Sequence, residues 1–149
     1  LYGFSELSQK QIDKLVNDYI KIADLNLVTA IMDGDNMVGF GITFPSFSRA
    51  LQKTRDGRML PFGWWHLLKT LKWHKTDTVD LLLIGVLPDY RSKGANALIF
   101  DDLIRQFQRY GFTWAETGPQ MESNMGVLSQ WQYLESTNHR RHRCYKKIM

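Results

Sequence analysis

A short basic loop at residues 91–94, with the letters RSKG, has the residue types that hold a phosphate group. It follows an apolar segment at residues 78–86 and precedes a helix-forming segment at residues 95–110. A loop that carries the chain from a strand into a helix leaves backbone N–H groups free at the helix start, where the helix dipole also favours negative charge. The loop is therefore predicted to cradle a phosphate group.

Two predicted strands flank the helix that follows this loop. Residues 79–86 form a nearly continuous apolar run, typical of a strand buried on both faces, and Pro88 ends its pairing. Residues 112–117 predict a second strand, which Gly118 ends. A strand, a helix and a strand in this order most simply form a parallel βαβ unit, so residues 79–86 are predicted to be the central strand.

The N-terminal part predicts a helix. Ser8 and Gln11 resemble a capping box, and apolar residues recur at helical spacing from Ile12 to Ala23. We expect this helix to end near Asp24 and its apolar stripe to pack on a sheet.

A β-hairpin is predicted next, because residues 27–32 and 37–44 flank the turn sequence DGDN. One face of its second strand carries Val38, Phe40, Ile42 and Phe44, and the opposite face carries only the small residues Gly39, Gly41 and Thr43. Small residues on one side of a strand indicate either the close approach of a ligand or a tight helix contact.

Residues 59–74 combine aromatic and basic side chains after a predicted polar loop at residues 45–57. Three interpretations remain open for this segment. It is a surface helix for a membrane or a nucleic acid, a lid whose rings wall a substrate pocket, or a core helix whose lysines are solvated. The core interpretation buries Trp64, Leu67, Leu68 and Leu71.

The C-terminal part predicts a short helix over residues 125–134, capped by Ser123 or Asn124, and a closing strand over residues 142–149. The basic run at residues 139–147, with the letters HRRHRCYKK, holds most of the positive charge excess. An anionic partner is therefore expected, whether a nucleotide-like cofactor, a nucleic acid or lipid head groups.

Composition predicts one domain over residues 1–149. With 149 residues, 44% of them hydrophobic, the chain can bury one core of ordinary size. We find no signal-peptide pattern and no apolar run near the roughly 20 residues that span a bilayer, and the one cysteine, Cys144, suits a reducing cytoplasm. Because the sequence begins with Leu1, we expect a piece of a longer protein.

The order of these elements, and the letters VLPDYRSKGAN at residues 86–96, resemble the GNAT superfamily of acyl-CoA-dependent N-acyltransferases. The family's loop has Arg or Gln, two residues, Gly, one residue, then Gly or Ala. Arg91 and Gly94 match it, and Asn96 stands at the last position. The resemblance implies an α/β (α+β) fold with a mixed central sheet flanked by helices, whose first strand is not identifiable before Ser8.

A second match is the segment AETGPQMESN at residues 115–124. It resembles a branch of uncharacterised GNAT-like proteins that has Ala-Glu on its fifth strand and Glu-x-Asn before the last helix, here Ala115 with Glu116 and Glu122 with Asn124. Residues 143–146 are similar to the closing strand of that branch.

The resemblance implies acetyl-CoA or another acyl-CoA as cofactor and a small-molecule or peptide amine as acceptor. The loop would wrap the CoA pyrophosphate, and backbone N–H groups of the preceding strand would hold the pantetheine arm and the thioester carbonyl. The cofactor-binding residues so implied are Ile84, Gly85, Val86, Arg91, Ser92, Lys93, Gly94, Ala95, Asn96 and Asn124.

An N-acetyltransferase needs a base for the amine and often an acid for the leaving thiolate. Glu116 is the best candidate base, or else a structural carboxylate. Many family members carry a Tyr acid where this chain has Trp131, so Tyr133 and Tyr145 are the substitutes. The histidines show no spacing that indicates a metal site.

Two other functions remain open. The chain could be a GNAT-fold module that has lost its chemistry, since Asn96 and Trp131 depart from the family pattern. It could also be an interaction domain in which the basic run or residues 59–74 meet an anion, a membrane surface or, as a less favoured partner, a nucleic acid.

Overall fold

The computed structural model describes residues 6–20, 23–54 and 63–145. These residues belong to two compact units, one made of described residues between 7 and 117 and the other combining Glu6 with residues 118–145. The prediction of one domain over residues 1–149 stays a prediction.

The described part of the larger unit contains both helices and strands. Its elements, in chain order, are α1 (Gln9–Ile20), β1 (Val28–Asp33), β2 (Asn36–Pro45), α2 (Ser48–Gln52), α3 (Gly63–Trp73), β3 (Thr78–Val86), α4 (Ala95–Tyr110) and β4 (Trp114–Thr117).

The four strands form one mixed sheet in the order β1-β2-β3-β4. The pairs β1–β2 and β2–β3 are antiparallel, and β3–β4 is parallel. The predicted hairpin, the central strand and the parallel strand pair around α4 are therefore confirmed, as is the predicted class of a mixed sheet flanked by helices.

Helix α4 covers one face of this sheet. Its residues Ile99, Leu103 and Phe107 join Leu27 and Val79 in the buried core. The small face of β2 is what lets α4 approach, because a Cβ atom on Gly41 would lie 2.8 Å from Ile99 Cγ2 and 3.0 Å from Leu103 Cδ1. Of the two interpretations of these small residues, the tight helix contact is correct.

The opposite face of β3 is half open. Leu82 is 43% exposed and Leu83 is 52% exposed, so the prediction that this strand is buried on both faces was wrong. The reason is that an apolar run fits a strand that lines an open apolar cleft as well as one buried between two layers of helices.

Helix α1 begins as predicted. The Ser8 backbone N–H and hydroxyl both donate to Gln11 Oε1 at 2.9 Å, which confirms the Ser8 and Gln11 capping interaction. Its apolar stripe, however, stays mostly exposed, with Ile12, Leu15 and Val16 between 39% and 47% accessible. The stripe meets the sheet where the Tyr19 ring lies 6.0 Å from that of Phe44.

Two predicted boundaries in the larger unit need correction. The polar loop at residues 45–57 contains the short helix α2 in its described part. The strand predicted from residue 112 begins at Trp114, because Phe112 is buried in the core and its ring lies 6.3 Å from that of Phe107.

The smaller unit contains α5 (Met125–Leu128) followed by a 3₁₀ turn (Ser129–Tyr133), which together match the predicted short helix. The closing strand is not formed over residues 142–145, which are irregular and exposed, and residues 146–149 lie outside the described part. Three arginines and two histidines in residues 139–143 leave this stretch without the apolar face that a sheet edge requires.

The contact between β2 and α4 generates a prediction. Gly41→Ala is expected to lower the free energy of unfolding by about 1–3 kcal/mol, because the added methyl group must displace Ile99 and Leu103 from a filled core. Denaturant unfolding measures the change. Gly118→Ala is the matched control, since nothing lies within 4 Å of its added Cβ; equal stability of both variants would contradict the tight contact.

Candidate functional site

The basic loop forms the start of α4. Residues Pro88–Lys93 make a 3₁₀ turn, Gly94 has a left-handed φ of 83°, and α4 begins at Ala95. Gly94 supplies the sharp change of direction that a residue with a Cβ atom resists. No side chain caps this helix start, so the first N–H groups of α4 are available to an anion.

Three contacts hold the loop in place. Arg91 Nε donates to the Val86 carbonyl at 3.1 Å, and the Tyr90 hydroxyl donates to Asp33 Oδ2 at 2.6 Å. The Lys93 ammonium lies 4.4 Å from the centre of the Tyr90 ring. The hydrogen bond to Asp33 ties the loop to the β1–β2 turn and, as the main cause, raises the pKa of Tyr90.

The structure therefore brings most of the predicted cofactor-binding residues together. Ser92, Lys93 and Gly94 are exposed at the helix start, and Asn96 is half-buried in the first turn of α4. Asn96 still supplies a backbone N–H at this end of the helix.

A gap opens where the pairing of β3 with β4 stops. The paired residues run from Thr78 with Trp114 to Leu81 with Thr117, whereas β3 continues to Val86. β4 therefore reaches less than half the length of β3.

The backbone of β3 points into this gap at alternate residues. The Leu87 N–H donates to the Val38 carbonyl on β2, so the N–H of the preceding residue, Val86, points the other way. The Val86 carbonyl also points away from β2, because it accepts a hydrogen bond from Arg91 Nε. By the same alternation Ile84 also directs its N–H toward the gap, next to the loop.

A β-bulge at Leu82 sets which side chains share a face. Ile42 pairs with Leu83 and Thr43 pairs with Leu81, so Leu82 is the extra residue. Gly85 then lies against the ring of Phe40, where a Cβ atom would be 2.8 Å from the ring. Before the bulge, the same face of β3 carries Asp80.

Asp80 and Glu116 form a carboxylate pair on neighbouring strands. They are register partners in the parallel β3–β4 pair, so their side chains lie side by side on the face opposite α4. Burial raises the pKa of Asp80, the Ser46 hydroxyl acts in the opposite direction by hydrogen bonding, and the negative charge of Glu116 adds to the rise. Two carboxylates that share a site in this way are suited to general acid–base chemistry.

Sequence reasoning singled out Glu116 and missed Asp80. The signal was present, because Asp80 is the one charged residue within the strand TVDLLLIGV. Its meaning depends on the register with β4, which the sequence alone does not supply.

The remaining predicted site residues belong to the smaller unit. Asn124 precedes α5 and accepts from the Val127 and Leu128 N–H groups through its carbonyl, while its side chain makes no capping bond. Tyr133 and Tyr145 are 82% and 86% exposed. Their predicted roles, and that of Asn124, stay predictions.

Trp131 stands where many GNAT-family members have a tyrosine acid. Its side chain is hydrogen-bonded within the smaller unit. Its Nε1–H donates to Gln120 Oε1 at 2.7 Å. Cys144 is an exposed free thiol. Over residues 6–20, 23–54 and 63–145, no cluster of three metal-ligating side chains is present.

Helix α3 does not bury its apolar residues in the core as one interpretation required. Trp64 is 45% exposed, and with Leu67, Leu68 and Leu71 it lines an open groove of about 530 Å³ together with Phe47 and Leu51 of the α2 region. The outer side of α3 carries Lys69 and Lys72, whose ammonium groups lie 5.2 Å and 5.8 Å from the rings of Trp65 and Trp73. The interpretations as a pocket wall and as a membrane-surface helix both stay predictions.

Known structures share this fold. The chain matches an aminoglycoside N-acetyltransferase, AAC(6')-Iy, in complex with CoA, with a TM-score of 0.54 and 18% identity over 94% of this chain and 90% of that one. It also matches an aminoglycoside acetyltransferase, meta-AAC0020, from an uncultured soil metagenomic sample, with a TM-score of 0.51 and 10% identity over 100% of this chain and 79% of that one. The chain therefore has the GNAT fold.

A curated relative is the bacterial ceramide synthase of Caulobacter vibrioides (strain NA1000 / CB15N). It is 21% identical over 158 aligned positions, which cover 99% of this chain and 39% of the relative. The chain thus spans about two fifths of that relative's length. No protein-family model matches the chain.

Within the described residues, no helix combines the length and the apolar character that crossing a bilayer requires.

The desolvated carboxylate generates a prediction about stability. A carboxyl whose folded pKa is raised stabilises the fold below its unfolded pKa and loses that contribution as pH rises through the folded pKa. Asp80→Asn is therefore expected to raise the thermal midpoint at about pH 8 and to have a smaller effect at about pH 4, because the raised pKa of the wild-type carboxyl favours its neutral form at low pH. Asp35→Asn, at an exposed turn position, is the control. An equal gain at both pH values would contradict the raised pKa.

Proposed function

We propose that this chain is an acyl-CoA-dependent N-acyltransferase, with acetyl-CoA as the simplest donor and an amine as the acceptor. One observation carries the proposal. The gap beside residues 84–86 and the uncapped start of α4 lie at the same end of β3, so one extended ligand with a phosphate group can use both.

CoA has the matching shape. Its pyrophosphate would accept hydrogen bonds from backbone N–H groups at residues 92–96, with the exposed side chains of Arg91 and Lys93 adding positive charge. Its pantetheine arm would then pair with the backbone of Ile84 and Val86 in place of the missing part of β4. The thioester carbonyl would lie near the bulge at Leu82, polarised by a backbone N–H.

The carboxylate pair would prepare the amine for attack. An amine is protonated at neutral pH, so Asp80 and Glu116 would attract it as a cation and take its proton. Asp80 precedes Ile84 by four residues, about 13 Å along a regular strand and less across the bulge, so the proton would pass through water.

The transfer then balances without a further reagent. The ammonium group first loses one proton to the carboxylate pair through water. The nitrogen then attacks the thioester carbon, the C–S bond breaks, and the nitrogen loses its second proton to solvent. The CoA thiolate leaves and takes a proton from water or from an acid, for which Tyr133 and Tyr145 are the proposed candidates.

The matched proteins support an amine acceptor and leave its class broad. The solved neighbours are by name N-acetyltransferases of aminoglycosides, one of them in complex with a bisubstrate analogue, CoA-S-monomethyl-acetylneamine. The curated relative is by name a ceramide synthase. The proposal at this level is an amine, polar or lipid.

The cradle generates a binding prediction. Arg91→Glu combined with Lys93→Glu is expected to weaken acetyl-CoA binding by more than about tenfold, because two charge-assisted contacts become repulsive. Calorimetric titration measures the affinity. Arg105→Glu with Arg109→Glu, on exposed positions near the other end of α4, is the matched control. Unchanged affinity in the loop variant, or no binding by the wild type at millimolar concentration, would overturn the cradle.

The carboxylate pair generates a kinetic prediction. Glu116→Gln is expected to reduce turnover by about two orders of magnitude, the usual scale for a general base. The acid limb of its kcat/KM profile should also move to lower pH, because the loss of a neighbouring negative charge lowers the pKa of Asp80.

Release of free CoA thiol with a panel of amines measures both effects, and Glu135→Gln, on an exposed residue, is the control. Turnover near the wild-type rate would remove Glu116 from the mechanism. Binding of acetyl-CoA without thiol release from any amine would instead favour a module that has kept the fold and lost the chemistry.

A further inference from the structure

An apolar groove lies between α2 and α3. The described residues that line it are all apolar: Phe47, Leu51, Trp64, Leu67, Leu68 and Leu71. Its volume of about 530 Å³ is that of a small-molecule pocket rather than a packing defect. A pocket lined by aliphatic and aromatic side chains favours an aliphatic or aromatic ligand over a polar one.

The groove begins near the end of β2 that pairs with Asp80. Phe44 is the register partner of Asp80, the Ser46 N–H donates to the Thr78 carbonyl at 2.8 Å, and the next residue, Phe47, lines the groove. An ion pair between Arg49 and Asp77, 3.0 Å long, holds α2 near the start of β3. The partner of Asp80 on β2 and the first residue of the groove are thus three residues apart in the chain.

We propose that the acceptor is a long-chain amine, whose aliphatic chain lies in this groove while its ammonium group meets Asp80 and Glu116. This inference rests on the proposed acyl transfer, because that reaction places an amine at the carboxylate pair. The negative charge of the carboxylate pair is complementary to the ammonium group of the ligand, and the apolar lining of the groove is complementary to its aliphatic chain.

The groove belongs to the acceptor rather than to the acyl chain of the donor. The backbone groups proposed to hold CoA, at Ile84 and Val86, lie beyond the bulge, whereas Phe47 of the groove follows the end of β2 that pairs with β3 before the bulge. A chain attached to the amine therefore reaches the groove directly.

A series of straight-chain amines from butylamine to decylamine tests the proposal, since basicity stays nearly constant while chain length grows. With acetyl-CoA as donor, kcat/KM is expected to rise by about fourfold per methylene, equivalent to about 0.8 kcal/mol for each buried CH₂, until the groove is filled. A flat dependence on amine length would overturn the inference while leaving the acyl transfer intact. A rise with acyl-CoA length at fixed butylamine, without a rise with amine length, would reassign the groove to the donor.

Two matched variants test whether the dependence on amine chain length arises in this groove. Leu51→Trp narrows the groove at a position that is 53% exposed, and is expected to bring the kcat/KM for decylamine close to that for butylamine. Leu25→Trp, at a position that is 72% exposed and outside the groove, should keep the full dependence on chain length. The same response from both variants would contradict the assignment to this groove.

Calorimetric titration of decylamine in the presence of CoA separates the two proposals. Binding by the wild type and by Leu25→Trp, with at least a tenfold loss in Leu51→Trp, supports the groove even if no amine releases thiol, in which case only the acyl transfer fails. Absence of decylamine binding to the wild type overturns the groove assignment whatever the thiol assay gives.

Discussion

The early end of β4 is the constraint on which the rest of the candidate site depends. β3 has nine residues and β4 has four, so the edge of β3 beyond Leu81 has no strand partner in β4. Backbone N–H and C=O groups that lack a protein partner must bond to water or to a ligand. The start of α4 has the same need, and the chain brings it back to the same end of the sheet. Two incomplete hydrogen-bond patterns thus meet at one end of the sheet, and this makes it a candidate site for an extended anion.

One face of the sheet packs against α4, and the other carries the candidate carboxylates. On one face, Gly39 and Gly41 let α4 approach closely, and the core that results fixes the position of the helix start. On the other face, the parallel register places Asp80 next to Glu116, and Leu83, which follows the bulge at Leu82, is exposed. The buried face packed on α4 thus supports an open face that carries Asp80. The raised pKa of this carboxylate costs some stability.

Local signals in the sequence predicted the local parts of this structure. The Ser8 and Gln11 cap, the hairpin turn, the helix after Gly94 and the parallel strand pair depend on residues near each other in the chain, and all were predicted correctly. The role of Asp80 depends on register across two strands 36 residues apart, which no local pattern contains. An apolar pattern does not show which element of the fold covers it. The sequence therefore did not predict the half-open face of β3, the exposed stripe of α1 or the groove beside α3.

The two departures from the family pattern have different physical consequences. Asn96 would contribute to the proposed cradle through its backbone N–H, and that group is present whatever the side chain. Trp131 replaces an acid whose work is done by the side chain itself. Yet a thiol with a pKa near 8.5 leaves as a fairly stable thiolate, so an acid at this point lowers the barrier less than a base that frees the attacking amine. In the proposed reaction, losing the carboxylate pair of β3 and β4 would therefore cost more than losing the acid that Trp131 replaces.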